Sequence, residues 1–250
     1  MNIKIIVATH KSYPMPTDKL YLPLHVGKEN SSVSLPYEGD NTGEHISEKN
    51  SHYCELTALY WAWKNLDADY IGLAHYRRHY CIKKPGCAKD KFPYILTYNE
   101  AESLLAETDI LLPKKRNYYI ETNYSHYVHA HGSESMDKTK EIIRELYPDY
   151  IPAFDSVMNN TKAHMFNMFI MKKDTFHAYC EWLFSILQKL EKALGCTSEN
   201  RRIYGYVSEL LLDVYLTKNN LTYKELSYMF MENEHWLKKG FSFLKRKFIH

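Results

Sequence analysis

The stretch His75-Tyr76-Arg77-Arg78 brings two guanidiniums, an imidazole and a phenol to one point of the chain, directly after the apolar run Tyr70-Ile71-Gly72-Leu73-Ala74. That run reads as a buried strand, so these side chains stand where a strand leaves a sheet. In α/β sheets, ligands bind beyond the carboxyl ends of the strands. Adjacent guanidiniums match phosphate oxygens with a fixed fork of donors, which points to a ligand with several anionic oxygens. Taken alone, such a pair reads rather as one arginine bound to a core carboxylate and one in water; the residues around it turn the reading toward an anionic ligand. Thr9, His10 and Lys11 follow a second apolar run, Ile3 to Ala8, in the same way. Lys114-Lys115-Arg116-Asn117-Tyr118-Tyr119 follows a third, Asp109 to Pro113.

Chemistry at such a site would also call on a general base, normally a carboxylate. Asp40 lies in the glycine-flanked turn Gly39-Asp40-Asn41-Thr42-Gly43 and offers either a base or a ligand contact, with Asn41 and Thr42 beside it. Glu55 is the one acid in an apolar and aromatic helical stretch. Glu209 reads as the start of the last helix, beside Arg202, where an acid also suits the helix dipole. Asp67-Ala68-Asp69 places two carboxylates at a spacing able to hold a divalent cation such as magnesium or manganese. It precedes the Tyr70 strand, at the end away from the expected crevice, and reads as a helix-to-strand connection. Metal-independent chemistry, with Arg77 and Arg78 carrying the anionic charge, is therefore expected. His126, His129 and His131 lack HExxH spacing, and the five cysteines form no CxxC pair, so neither a zinc site nor a disulfide framework is indicated.

The elements that position these residues follow from hydrophobic period and turn chemistry. Strands are expected at Ile3 to Ala8, Tyr21 to Val26, Tyr70 to Ala74, Asp109 to Pro113 and Phe166 to Met171. Helices are expected over Tyr53 to Asn65, Tyr98 to Ala106, Met136 to Tyr147, Asp174 to Leu194 and Val207 to Thr217, with another from about Ile151. The alternation gives an α/β domain with a central mixed sheet flanked by helices and a helical C-terminal part. No GxGxxG or GxxxxGK[ST] occurs, which argues against dinucleotide-binding Rossmann and P-loop proteins.

The chain has 250 residues, a net charge of +2 and 22 tyrosines. That size suits one domain: a half over 1–115 for the anionic ligand, a half over 116–235 for a second substrate, and a basic-aromatic tail over 236–250. The near-neutral charge speaks against nucleic acid. The tyrosines suit stacking on rings and bonding to hydroxyls. The tail, with Lys238, Lys239, Lys245, Arg246 and Lys247 among aromatic residues, suits peripheral contact with an anionic membrane face. The apolar part of the N-terminus is too short for a signal peptide, so a cytoplasmic location is expected.

The blocks around Gly39–Gly43, Asn50 with Tyr53-Cys54-Glu55-Leu56-Thr57-Ala58-Leu59-Tyr60-Trp61-Ala62-Trp63-Lys64-Asn65, Gly72 to Arg78, Asn167 to Met171 and Arg202 to Glu209 resemble those of one bacterial family. It was long catalogued as a domain of unknown function in capsule and exopolysaccharide loci, and is grouped with glycosyltransferases, including β-galactofuranosyltransferases. The resemblance runs from the first strand to about Leu216. His45 and Leu210 depart from it, standing where Asn and Arg are usual.

The resemblance implies a GT-A-like fold and inverting hexosyl transfer from a UDP-sugar, galactofuranose or another hexose, to a hydroxyl of a lipid-linked oligosaccharide. It implies donor binding by Thr9, His10, Lys11, Asn41, Thr42, His75, Tyr76, Arg77 and Arg78. Acceptor contacts are expected from His126, Asn167, Arg202 and Tyr204, and the base from Asp40, Glu209 or Glu55. A non-catalytic nucleotide-sugar- or carbohydrate-binding protein, and a phosphotransferase or nuclease using the histidines, are the competing classes.

Overall fold

A computed structural model describes residues 1–86 and 88–232. The central strand β1 (Ile3–Thr9) is buried along almost its whole length, as a parallel strand covered on both faces must be. It pairs in parallel with β2 (Tyr21–His25) and, on its other side, with the strand that carries the double arginine. β3 (Glu38–Gly39) extends the edge beside β2. The expected helix from Tyr53 is instead two pieces, α1 (Asn50–Tyr53) and α2 (Leu56–Asn65), broken at Cys54, whose φ is 53°.

β4 (Tyr70–His75) then turns back at once into β5 (Arg78–Cys81), with His75 opposite Arg78. The HYRR segment is thus a tight hairpin, not a free strand end. α3 (Tyr98–Leu105) opens on a capping box in which the Thr97 hydroxyl accepts from Glu100 N–H and the Glu100 carboxylate accepts from Thr97 N–H;. β6 (Ile110–Pro113) and the short β7 (Arg116–Asn117) follow, then α4 (Asn123–His131), α5 (Glu134–Leu146) and α6 (Ile151–Asn159). β8 (Lys162–Ala163) pairs with β7, and β9 (Phe169–Lys172) leads into α7 (Lys173–Leu194). α8 (Ile203–Lys218) and β10 (Lys224–Phe230) complete the described chain.

β10 was not foreseen, and it changes the sheet. It joins β5 to β6, while β9 joins β6 back to β4, so the pairings β4–β5–β10–β6–β9–β4 close a five-strand ring on one side of the sheet. Gly72 permits the closure: a Cβ there would stand 2.8 Å from the Phe169 carbonyl oxygen. Two apolar layers sandwich the strands. Ile6, Ala8, Ile71 and Leu73 face α2 and α5 to α8, while Ile3, Ile5, Val7 and Tyr70 face α3. α8 is buried on nearly all sides, so its interior polar residues Ser208, Glu209 and Asp213 each need a partner or an opening.

Candidate active site

The β4–β5 hairpin holds its cations against rings. The Arg77 guanidinium lies 5.3 Å from the Tyr76 ring, and that of Arg78 lies 4.2 Å from Phe166 and 5.5 Å from Phe230. The buried Tyr76 ring is the floor on which the end of β1 also rests: His10 packs edge-on at 5.6 Å and the Lys11 ammonium stands 5.2 Å away. Thr9 is buried, its hydroxyl bonded to the Lys11 backbone. It shapes this turn and presents nothing to a ligand.

Arg202, far along the chain, joins the same group. Burial pushes the His75 imidazole down to about 2, and Arg78, Arg77, His10 and Arg202 push in the same direction. His10 is lowered by burial, then by Lys11, Arg77 and Arg202. Both imidazoles are therefore neutral near pH 7. They are hydrogen-bonding groups in a field of four cations, a field suited to a diphosphate.

A carboxylate pair faces that field. Burial raises the Glu209 carboxyl to about 8, with the Glu55 charge as the next cause, while Arg78, the Phe166 backbone N–H and Arg116 act in the opposite sense. Glu209 lies two turns inside α8 rather than at its start, because the helix begins at Ile203. The helix-dipole reading therefore fails, as that effect fades within the first turn. The expected Arg202 pairing is replaced by Arg78 and Arg116.

Asn167 is buried and fixes Glu55. Its side-chain amide donates to Glu55 Oε1 at 2.9 Å and to the Gly205 carbonyl at 3.2 Å, and its Oδ1 accepts from Ser208 at 2.8 Å. Gly205 lets α8 approach this closely, since a Cβ there would sit 3.3 Å from Cys54 Cβ and Sγ. Cys54, Phe166, Asn167 and Arg202 all adopt left-handed backbone, with φ of 53°, 77°, 52° and 66°. Such conformations cost non-glycine residues free energy and gather where geometry is under functional demand.

Glu209 opens into a cavity of about 570 Å³, counting its solvent-open mouth, lined by Arg116, Tyr118, His126, Tyr127, His131 and Tyr206 among others. Its walls are stacked rings: Tyr118 on His126 at 3.7 Å and His131 on Tyr206 at 4.1 Å. The Glu121 carboxylate bonds His126 at 2.7 Å and His129 at 3.1 Å. The histidine segment is thus helix α4 lining a cavity.

The other expected site residues lie elsewhere. Asp40 is fully buried and both its oxygens are taken: Oδ2 by Gly27 N–H at 2.9 Å, Oδ1 by Lys28 N–H at 3.1 Å and by the Ser47 hydroxyl. It braces the β2–β3 loop, and with no exposed surface it presents no open face to an incoming hydroxyl. Asn41 bonds Glu29 and Thr42 bonds Glu38 and Trp61, so both serve the same loop. Tyr204 is core, packed on Tyr53 at 4.8 Å with its hydroxyl on the Gly195 carbonyl. Asp67 bonds Lys173 at 2.6 Å and Asp69 takes Asn2 N–H at 2.6 Å, at the start of β4 and away from His75.

Arg116 and Tyr118 stood in a segment marked as basic-aromatic, without a role, and His131 in the histidine-rich segment read as hydrogen-bonding to acceptor or phosphate. Tyr127 and Tyr206 were missed. Tyr206 carried a signal, being three residues from Glu209 and so on the same helix face.

Residues 4–220 match the family described as a domain of unknown function, DUF4422. The chain belongs to this family. Among solved structures, this DUF4422 chain is similar to one titled "WbbM bifunctional glycosytransferase apo structure". The TM-score is 0.84 and the identity 35%, over 94% of this chain and 46% of that one. The chain thus spans about half the length of that bifunctional protein. No curated protein matches.

Proposed function

We propose that this DUF4422 protein is an inverting glycosyltransferase of GT-A type, which moves a hexosyl group from a UDP-sugar to a saccharide hydroxyl in surface-polysaccharide assembly. One observation carries the reading. A cation cluster suited to a diphosphate and a carboxylate suited to a general base meet at Arg78 and Glu209, with an aromatic cavity on the carboxylate side. The similarity to a bifunctional glycosyltransferase supports the same class.

The acceptor ring stacks on the cavity walls, with its hydroxyl toward Glu209. That oxygen forms the new bond to the sugar's anomeric carbon while the bond from that carbon to the diphosphate oxygen breaks. The hydroxyl proton passes to Glu209, which must be ionised to take it. A base whose pKa lies near the working pH does this efficiently. The negative charge that grows on the departing diphosphate falls to Arg77, Arg78, Arg202 and Lys11; the Glu232 carboxylate stands 4.0 Å from Arg77 and 3.9 Å from Lys11, and the diphosphate takes its place. Neutral His75, whose Nδ1 accepts from Arg77 N–H at 3.3 Å and whose Nε2 therefore carries the proton, and neutral His10 each donate one ring N–H to the same oxygens. A resident divalent metal would share that charge, but Asp67 and Asp69 stand at the wrong end of β4 to hold it there.

Thermal shift against UDP-sugars, with and without magnesium or manganese, tests the donor class. UDP-dependent stabilisation, lost in an Arg77→Ala/Arg78→Ala protein, is the expected result. A protein stabilised by no nucleoside diphosphate would overturn the reading. Binding without turnover of any acceptor would favour a nucleotide-sugar-binding protein.

A further inference from the structure

Tyr119 and Ile120 are 80% and 71% exposed, the two most exposed large apolar residues in the described protein. They are neighbours, at the tip of the loop between β7 and α4. Single exposed apolar residues need no explanation, but an adjacent pair held away from the core does.

The pair is held by a built turn. Ile120 N–H donates to the Tyr118 carbonyl at 2.7 Å around Tyr119, whose φ is 60°. This is a γ-turn with a left-handed central residue, a strained form that side chains avoid. Tyr119 N–H is bound by Asn117 Oδ1 at 2.9 Å and Tyr118 N–H by the Thr161 carbonyl at 2.9 Å. The Tyr118 ring is clamped on His126, and it lines the cavity whose wall the loop forms.

The base of the turn is cationic. Lys114 and Arg116 precede it, and the β7–β8 pairing places Lys162 opposite Asn117. All three are exposed. The nearby acid Glu121 is mostly buried and already bound to His126 and His129. An apolar tip in a basic collar complements one partner chemistry, an anionic lipid surface: the tip enters the acyl boundary while the cations meet phosphate headgroups.

We propose that the Tyr119–Ile120 turn with Lys114, Arg116 and Lys162 is a membrane-docking surface that sets the cavity mouth against an anionic lipid face. A polymer carried on a lipid would then reach the cavity without leaving the surface. This consequence rests on the glycosyltransferase reading, but the docking itself does not.

Full-length protein is co-sedimented with phosphatidylcholine vesicles, with and without phosphatidylglycerol. Wild type should partition onto the anionic vesicles only. Tyr119→Ser/Ile120→Ser should lower that partition about tenfold or more, and Lys114→Gln/Lys162→Gln should lower it and flatten its salt dependence. Neither pair lines the cavity, so UDP-dependent thermal stabilisation should be unchanged in both, which also shows that the variants fold. Absence of UDP stabilisation in every protein, with the vesicle result intact, would sink the enzymatic reading and leave the docking surface standing. Unchanged vesicle binding in the Tyr119/Ile120 variant overturns the proposal, including the case in which only changes within 236–250 abolish binding. Unchanged vesicle binding with a raised KM for a soluble oligosaccharide would assign the turn to the glycan chain instead.

Discussion

The cationic cluster and the carboxylate cavity lie side by side, yet they are built in opposite ways. The cations come mainly from ordinary strand ends: β1 delivers Lys11 beside neutral His10, and the β4–β5 hairpin delivers Arg77 and Arg78 beside neutral His75. The carboxylate pair depends on three segments far apart in sequence, around Glu55, Asn167 and Glu209, each containing or following a residue in left-handed backbone. A diphosphate needs only dense positive charge, and Coulomb forces tolerate small errors of position. A base must sit within hydrogen-bond reach of one hydroxyl and keep a set protonation state, so its surroundings are fixed on every side.

Substitutions can break that contrast, and the largest effect belongs to the cations. Arg77→Ala/Arg78→Ala should lower kcat/KM by roughly a thousandfold or more and abolish UDP stabilisation. Retained turnover would show that the diphosphate binds elsewhere. Glu209→Gln should cost about a hundredfold to ten-thousandfold in kcat while UDP stabilisation persists. Equal loss of UDP binding would merge the two regions into one.

The pH profile sharpens the comparison. Glu209 must be ionised to act, and its carboxyl is raised to about 8, so kcat should climb with pH through about 8 and level off above it. Removing the neighbouring charge in Glu55→Gln lowers the Glu209 pKa, so the rising limb should move to lower pH. A limb that stays in place would separate Glu55 from Glu209.

The same raised carboxyl makes a stability prediction. The folded state binds this proton more tightly than the unfolded state. Its favourable contribution is therefore present below the ordinary carboxylate range and lost as pH rises through about 8. Glu209→Gln should melt higher than wild type above pH 8 and lose that advantage in acid. The smallest catalytic effect is expected at the loop brace. Asp40→Asn should cost about 1–3 kcal/mol of stability with little change in kcat per folded molecule, whereas a large kcat loss would return Asp40 to the chemistry.

Much of the first region was legible because its signal is local. An apolar run names a strand, and the residues after it must lie at its end, so His10, Lys11, His75, Arg77 and Arg78 could be grouped without a fold. The hairpin itself was not legible, since Arg78 pairs through β10, whose Lys224–Phe230 sequence alternates weakly. In the second region, Asp40 and Glu209 looked alike as acids near glycine turns or helix starts. Burial of Asp40 among Gly27, Lys28 and Ser47 separated them, as did the opening of Glu209 into a cavity. Tyr204 and Tyr206 sit two apart on one helix and point to different faces. One became core and the other cavity wall, a difference set by where α8 packs.

The sequence alone determined the order of the main strands and helices as far as α8, the absence of phosphate-loop motifs, and the concentration of cations after two strands, because these depend on periodicity and on neighbours in the chain. Only the tertiary structure decided that the sheet closes into a ring, that Arg202 joins the cations, and that Glu55, Glu209 and Asn167 form one group. Those facts arise from contacts between distant segments, whose geometry is set by packing and by left-handed backbone that residue type does not announce.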